Sequence, residues 1–384
     1  MSVTTRLKSF NFLFFSMFAL FISFLPVYAD GIGISSTHIG IVLSMGSLIS
    51  VVSQPLWGMI SDRARTVRKV LLLLLACSIA AGALMYSSTE LWSLALFVAL
   101  MNVFYLPTDP LVESLNFRTT QRENVSYGSV RMFGALGYAV TSLLAGYGLQ
   151  QWGMGSVVWI YAGAGIAAFL VALSLADVEA SPKPALFKHL KLFFLQSRTL
   201  VFFLIVFVVA IPHKMNDTFV GLYMEQLGGN VRLTGLSWFV MTLTETVFFA
   251  LSARLIKPGK ERLFMTAAAG LYAVRFLLSA LADSPYELVA IQVLQGVTFV
   301  LFYVGAMQYL YSIVPDEWKS TGQTMLTVLY FGVSGIIGSS IGGWVIDVWG
   351  GKALYEGMSA VAAVGFVLGC LLLRSPREAS AVKP

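Results

Sequence analysis

Gly58-Met59-Ile60-Ser61-Asp62-Arg63-Ala64-Arg65-Thr66-Val67-Arg68-Lys69 joins two uninterrupted apolar runs, Thr37–Ile60 and Val70–Tyr86. A helix that crosses a bilayer needs about 20 such residues, and each run is of that order. The connector carries four cations and one anion. Basic loops of this kind stay on the cytoplasmic side of a membrane. Two spans and a cytoplasmic turn are thus legible in one short stretch.

The rest of the chain reads the same way. Of its 384 residues, 57% are hydrophobic and 11% charged. A soluble domain carries roughly 25% charged residues, so a water-soluble enzyme is excluded. A membrane β-barrel alternates apolar and polar residues; here the apolar runs are continuous, as in Val70–Ala83. Twelve runs can be marked: Leu7–Ala29, Thr37–Ile60, Val70–Tyr86, Leu91–Leu115, Ser126–Gln150, Ser156–Ala176, Thr199–Met224, Leu233–Ile256, Leu263–Ala282, Tyr286–Val314, Ser320–Val348 and Ala353–Leu373. The first is read as a span rather than a cleaved leader. Asp177–Arg198 is the long polar connector.

With a cytoplasmic N-terminus, twenty Lys and Arg fall in inner segments and two, Arg232 and Lys352, in outer ones. Both termini are therefore expected inside, in a bacterial inner membrane. The same bias accounts for the net charge of +6 without a nucleic-acid partner. Cys77 and Cys370 lie in apolar runs, and His38, His189 and His213 are too scattered for a metal site.

The halves echo each other at an offset near 195 residues. Tyr28-Ala29-Asp30 with Gly33 and Gly40 is answered by Tyr223-Met224-Glu225 with Gly228 and Gly235. Ser61-Asp62-Arg63 is answered by Ser252-Ala253-Arg254, Phe133-Gly134 with Gly137 by Phe331-Gly332 with Gly335, and Trp152-Gly153 by Trp349-Gly350. Repeated halves with a site between them are a common transporter plan. The expected fold is an all-α membrane protein of twelve helices in two pseudo-symmetric six-helix bundles. Its expected parts are a first bundle (1–176), a cytoplasmic linker (177–198), a second bundle (199–373) and a tail (374–384).

The Gly58–Lys69 loop resembles the loop 2–3 signature of the major facilitator superfamily. The resemblance implies a monomeric transporter that needs no cofactor beyond an ion gradient. Gly58 suits a close helix approach, Asp62 can accept hydrogen bonds at a neighbouring helix N-terminus, and Arg63 and Arg68 hold the loop inside. Together they form a candidate conformational latch.

A narrower resemblance lies in Pro110-Leu111-Val112-Glu113, followed 18 residues later by Arg131-Met132-Phe133-Gly134. It is similar to the lactose permease group of proton symporters and its nucleoside and phenylpropionate relatives. Tyr138 stands where lactose permease has a sugar-stacking tryptophan, and Glu245 matches its sugar-binding glutamate. Val274-Arg275 resembles its Val-Arg pair. Gln295 and Thr298 occupy the places of its histidine and proton-carrying glutamate, Phe248 replaces an asparagine, and the lysines of spans 10 and 11 are missing. The resemblance therefore reaches neither galactosides nor the same proton site.

A charge at the bilayer centre costs at least about 2.5 kcal/mol, so intramembrane charges are functional candidates. Seven stand out: Asp109, Glu113, Arg131, Lys214, Asp217, Glu245 and Arg275. Glu113 and Arg131, with Tyr138 and Glu245, are candidates for binding solute hydroxyls. Asp109, Glu113, Asp217 and Glu245 are candidates for carrying a proton. Asp109, flanked by Pro107 and Pro110, serves equally well as a cap on the kink they make. Lys214, Asp217 and Arg275 are candidates for intramembrane ion pairs. The resulting expectation is proton-coupled uptake of a small polar solute, a sugar or nucleoside. A proton-coupled exporter is the alternative, although span 5 lacks the exporters' glycine–proline motif. A non-transporting sensor is a remote third. No nucleophile–base or metal-ligand pattern supports an enzyme.

Overall fold

A computed structural model describes residues 2–178, 196–256, 259–315 and 318–373. The expected linker from 179 to 195 and the tail from 374 lie outside the described residues. Ten apolar helices come first: α1 (Val3–Gly31), α2 (Ser36–Ala64), α3 (Val67–Met85), α4 (Leu91–Arg122), α5 (Tyr127–Trp152), α6 (Met154–Ala172), α7 (Ser197–Gln226), α8 (Val231–Leu255), α9 (Glu261–Ala280) and α10 (Pro285–Ile313). The final stretch, Thr321–Leu372, runs for 52 residues. At about 1.5 Å per residue that is more than twice the ~30 Å hydrocarbon core. It breaks at Gly350, with φ 80° and ψ 171°, into α11 (319–349) and α12 (351–372). Twelve spans result among the described residues. Gly153, after Trp152, has the same backbone, φ 82° and ψ 159°. The repeated Trp-Gly is thus one turn used twice, with a φ that favours glycine.

The repeat also fixes helix starts. Ser35 caps α2 by accepting from the His38 N–H, and Asn230 caps α8 by accepting from the Leu233 N–H. Such caps satisfy orphan donors at a helix N-terminus. Each half breaks its fourth helix. In α4 the α-helix stops at Phe104 and resumes at Thr108; in α10 it stops at Ile291 and resumes at Leu294. Beyond each break, polar side chains recur among apolar ones: Thr108, Asp109 and Glu113 in α4, Gln295 and Thr298 in α10.

The halves meet where side chains are smallest. A Cβ on Gly40 of α2 would stand 2.1 Å from the Ser339 carbonyl oxygen on α11. At the equivalent place, a Cβ on Gly235 of α8 would stand 2.3 Å from the Ser142 carbonyl oxygen on α5. The lack of Cβ atoms brings backbones into contact. Hydrogen bonds between the halves gather around these crossings. Asp347 accepts from the N–H of Ser36 at 3.0 Å and of Thr37 at 2.7 Å. The Ser44 hydroxyl meets that of Ser340 at 2.7 Å, and Arg232 donates to the Tyr147 hydroxyl at 2.7 Å. This is the closed end.

The opposite end carries the Gly58–Lys69 loop, and its contacts differ from the expectation. Nothing lies within 4 Å of a Cβ placed on Gly58, so no helix approaches it closely in this state. Asp62 is half-buried in a cavity beside Pro107, Pro110 and Arg118. Arg63 is exposed. The engaged carboxylate is Asp177. It accepts from the Thr66 hydroxyl and from the backbone N–H groups of Arg68 and Val178. Arg68 donates to the Leu173 carbonyl at the end of α6. Partial burial of Asp177 pushes its carboxyl up, but the three hydrogen bonds outweigh it and hold the group below the usual carboxylate range.

Two outcomes follow from this packing. Overpacking costs about 1–3 kcal/mol, so Gly40→Val or Gly235→Val should shift the closed-to-open ratio about five- to hundredfold toward open. Double electron–electron resonance across the closed end reads that ratio. Asp177→Ala should lower Tm at neutral pH. Its folded carboxyl titrates below the unfolded one, so the contribution is full above the unfolded value and is lost as pH falls below about 4. The Tm difference between variant and wild type should close over that acid range.

Candidate functional site

Beyond the α4 break, the chain turns helical again at Thr108, whose hydroxyl and backbone N–H both donate to the Tyr105 carbonyl. Glu113 lies on the next turn and a half. Its Oε1 is 2.9 Å from Arg131 Nε on α5, and its Oε2 accepts from the Tyr127 hydroxyl. Tyr127 precedes Arg131 by four residues, so both reach Glu113 from one face of α5. The Arg131 guanidinium also lies over the Phe15 ring at 4.2 Å. This pair is not sealed in: the Arg131 side chain is 42% exposed and that of Glu113 29%. Asp109 sits in the first turn of the resumed helix without capping it. Its Oδ1 is shielded and has no hydrogen-bond partner, and both Glu113 and Arg131 act on it electrostatically.

The second half is built differently. Arg275 of α9 is fully buried. The ion pair expected for it is absent among the described residues, because neutral groups surround it. It donates to the carbonyl oxygens of Gln295 and of Gln292 (the latter at 2.7 Å) and to the Thr298 hydroxyl at 3.3 Å. Gln295 then donates through Nε2 to Glu245 Oε1 on α8 at 2.9 Å. Arginine has donors only, so the Gln295 carbonyl must face Arg275 and its NH₂ must face Glu245. Arg275 thus reaches Glu245 through one amide, and Glu245 keeps Oε2 outside that bridge.

On α7, Lys214 Nζ lies 3.1 Å from Asp217 Oδ2, which makes the pair that the spacing predicts. His213 Nε2 approaches the same oxygen at 3.6 Å. Its Nδ1 meets the Tyr272 hydroxyl at 3.0 Å, and Tyr272 meets Tyr330 at 3.2 Å. The ring stacks on Phe299 with centroids 4.8 Å apart. Tyr138 of α5 bonds its hydroxyl to Ser23 at 2.9 Å and packs against Trp238 at 5.8 Å. Asp217 and Glu245 both act on it electrostatically.

The candidates thus form an N-half group around Glu113 and Arg131 and a C-half group around Asp217, Glu245 and Arg275. Tyr138 stands between the halves. The loop residues Gly58, Asp62, Arg63 and Arg68 are separate from both groups. Sequence reasoning did not single out Tyr127, His213 or Gln292 as site residues. The first two were legible as the i−4 neighbours of Arg131 and Asp217. Gln292, Gln295 and Thr298 fall at intervals of three along α10 and so share a face.

Comparison with known proteins agrees with this architecture. The family model described as MFS_1 like family matches residues 4–356. The chain is 28% identical to a maltose permease from Geobacillus stearothermophilus, over 97% of this chain and 95% of the permease. It is 26% identical to an uncharacterized transporter, YwbF, from Bacillus subtilis, over 90% of this chain and 87% of that protein. A crystal structure of the nucleoside transporter NupG superposes with a TM-score of 0.85 at 16% identity, covering 96% of this chain and 98% of NupG. With twelve spans in repeated halves and charged groups between them, the chain belongs to the MFS_1 like family and is a membrane transporter, not an enzyme.

Proposed function

We propose that this protein imports a small polar solute, a sugar or nucleoside, together with protons, as a monomer in the bacterial inner membrane. The twenty-to-two distribution of Lys and Arg supports cytoplasmic termini. The closed end then faces outward, and the Glu113–Arg131 pair lies on the cytoplasmic side of the α4 break. The observation that carries the reading is that pair. An intramembrane ion pair built only for stability is a poor bargain. This one is only partly covered by the rest of the protein and offers both a forked donor and an acceptor to hydroxyl groups. The maltose permease and the nucleoside transporter support a polyhydroxylated solute.

Transport follows by rocking of the two halves about the central groups. Solute hydroxyls engage Glu113 and Arg131 from one half and the Oε2 of Glu245 from the other. A proton on Glu113, Asp109, Asp217 or Glu245 lowers the cost of carrying that carboxyl through a closed, dry intermediate. Arg275 serves through Gln295, whose amide it locks so that Glu245 is held by a donor.

Purified protein in liposomes loaded with a pH dye tests the proposal. Sugars and nucleosides are added one class at a time. Luminal acidification with one class is the expected result; uptake of label without acidification would remove the protons from the account. A charge-assisted hydrogen bond is worth about 1.5–3 kcal/mol. Glu113→Gln and Arg131→Ala should therefore each lower uptake at least about tenfold while membrane insertion is unchanged. Wild-type uptake by both would overturn the assignment. Gln295→Leu should raise KM several-fold with a smaller effect on kcat. Gln295→His keeps an acceptor for Arg275 and a donor for Glu245, and should restore KM.

A further inference from the structure

At the closed end, the repeated Tyr28-Ala29-Asp30 and Tyr223-Met224-Glu225 end α1 and α7 in the same way. The Gly33 N–H donates to the Asp30 carbonyl at 2.8 Å, and the Gly228 N–H to the Glu225 carbonyl at 2.9 Å. Both glycines have positive φ, 87° and 80°. The Tyr28 hydroxyl donates to the carbonyls of Tyr86 and Ser88 at 2.7 and 2.8 Å. The Tyr223 hydroxyl donates to the Ser279 backbone carbonyl at 3.1 Å. Each tyrosine pins its helix end to the third helix of its own half. The two acids therefore hold equivalent places in two rigid scaffolds related by a pseudo-two-fold axis. Residues equivalent under such an axis meet where their helices cross it.

α1 and α7 do touch here: a Cβ on Gly221 would stand 2.5 Å from Val27 Cγ2. One turn further out, Asp30 of α1 and Glu225 of α7 face each other across this contact, both half-buried and each acting electrostatically on the other. Two carboxylate anions placed this way repel, and one proton shared between them replaces the repulsion with a hydrogen bond. Among the described residues no cation acts on either acid. The charged groups acting on Asp30 are Glu225 and Asp347, and the one acting on Glu225 is Asp30. Asp347 is already engaged as the anionic cap of α2, with both oxygens accepting backbone N–H groups.

The acids belong to opposite halves, so they part when this end opens. Once apart, neither carboxyl needs the shared proton. We propose that Asp30 and Glu225 are a proton-operated latch, in which one shared proton holds this end closed and its loss favours opening. The sign follows from linkage. The closed state binds more protons at this pair than the open state, so acid favours closed and alkali favours open. With the orientation given above, the proton enters from and returns to the external side. The latch then makes gating respond to external pH without adding to the protons carried per solute.

The test uses no solute, so its outcome is separate from the identity of the cargo. Spin labels go on Ser87→Cys and Tyr286→Cys, two exposed positions at this end, one on each half. Cys77 and Cys370 are replaced by Ser, and distances are measured in lipid nanodiscs. As pH falls from about 8.5 to about 5.5, the closed-to-open ratio of the otherwise unmodified protein should rise about tenfold or more. In Glu225→Gln, the amide donates to Asp30 without a proton. The closed population should then be high and flat with pH, and Asp30→Asn should behave the same way. A pH response in both variants equal to that of the parent would overturn the latch, as would a parent with no response.

Discussion

Backbone contact between the halves sets what the other parts of this structure can do. Gly40 against Ser339, and Gly235 against Ser142, bring main chains together at one end with no side chain between them. Such a crossing is either made or broken, because packed interfaces are bistable rather than continuously deformable. The two crossings stand at equivalent positions of the repeat, so the halves close as a pair of matched hinges. The rest of the seam follows from that closure. Asp347 reaches the N-terminus of α2, Arg232 reaches Tyr147, and Asp30 reaches Glu225. Each of these contacts is polar and separable, which suits a surface that must part.

The interior divides its charges unequally. The first half holds a direct ion pair, Glu113 with Arg131, that the protein leaves partly uncovered. The second half buries Arg275 completely and surrounds it with amides and a hydroxyl. A buried guanidinium without an anion is tolerable because its dipolar neighbours are aimed at it and fixed by it. One of those neighbours, Gln295, passes the orientation on to Glu245. A solute between the halves would thus meet a forked cation and an anion on one side. On the other it would meet an anion whose direction is set from behind.

Much of this was legible in the sequence. Continuous apolar runs and basic loops gave the twelve spans, and the echo of Tyr-x-acid with its glycines gave the repeat. Spacing of three residues gave the Lys214–Asp217 pair. The 18-residue separation of Glu113 and Arg131, read with the family resemblance, placed them together. Other features depend on distances that no spacing encodes. The partners of Arg275 come from a different helix, and neutral glutamines give no charge signal. Gly58 and Asp62 are legible as a candidate latch for one of two alternating states, and in the state seen the packed carboxylate is Asp177, supplied by the chain beyond α6. Nothing packs against Gly58 in this state. A sequence specifies the contacts of every state at once, and a structure presents one of them.

In the function proposed above, Glu113 and Arg131 sit in the membrane for the solute and not for stability. Exchanging them, as Glu113→Arg with Arg131→Glu, separates the two roles. The swapped pair keeps an ion pair between α4 and α5 but reverses which helix presents the donor fork. Uptake of the identified solute and Tm should be measured together. The account predicts a Tm close to wild type with uptake lowered at least about tenfold. Uptake at the wild-type rate would show that the pair is only a brace between two helices, and would contradict the account.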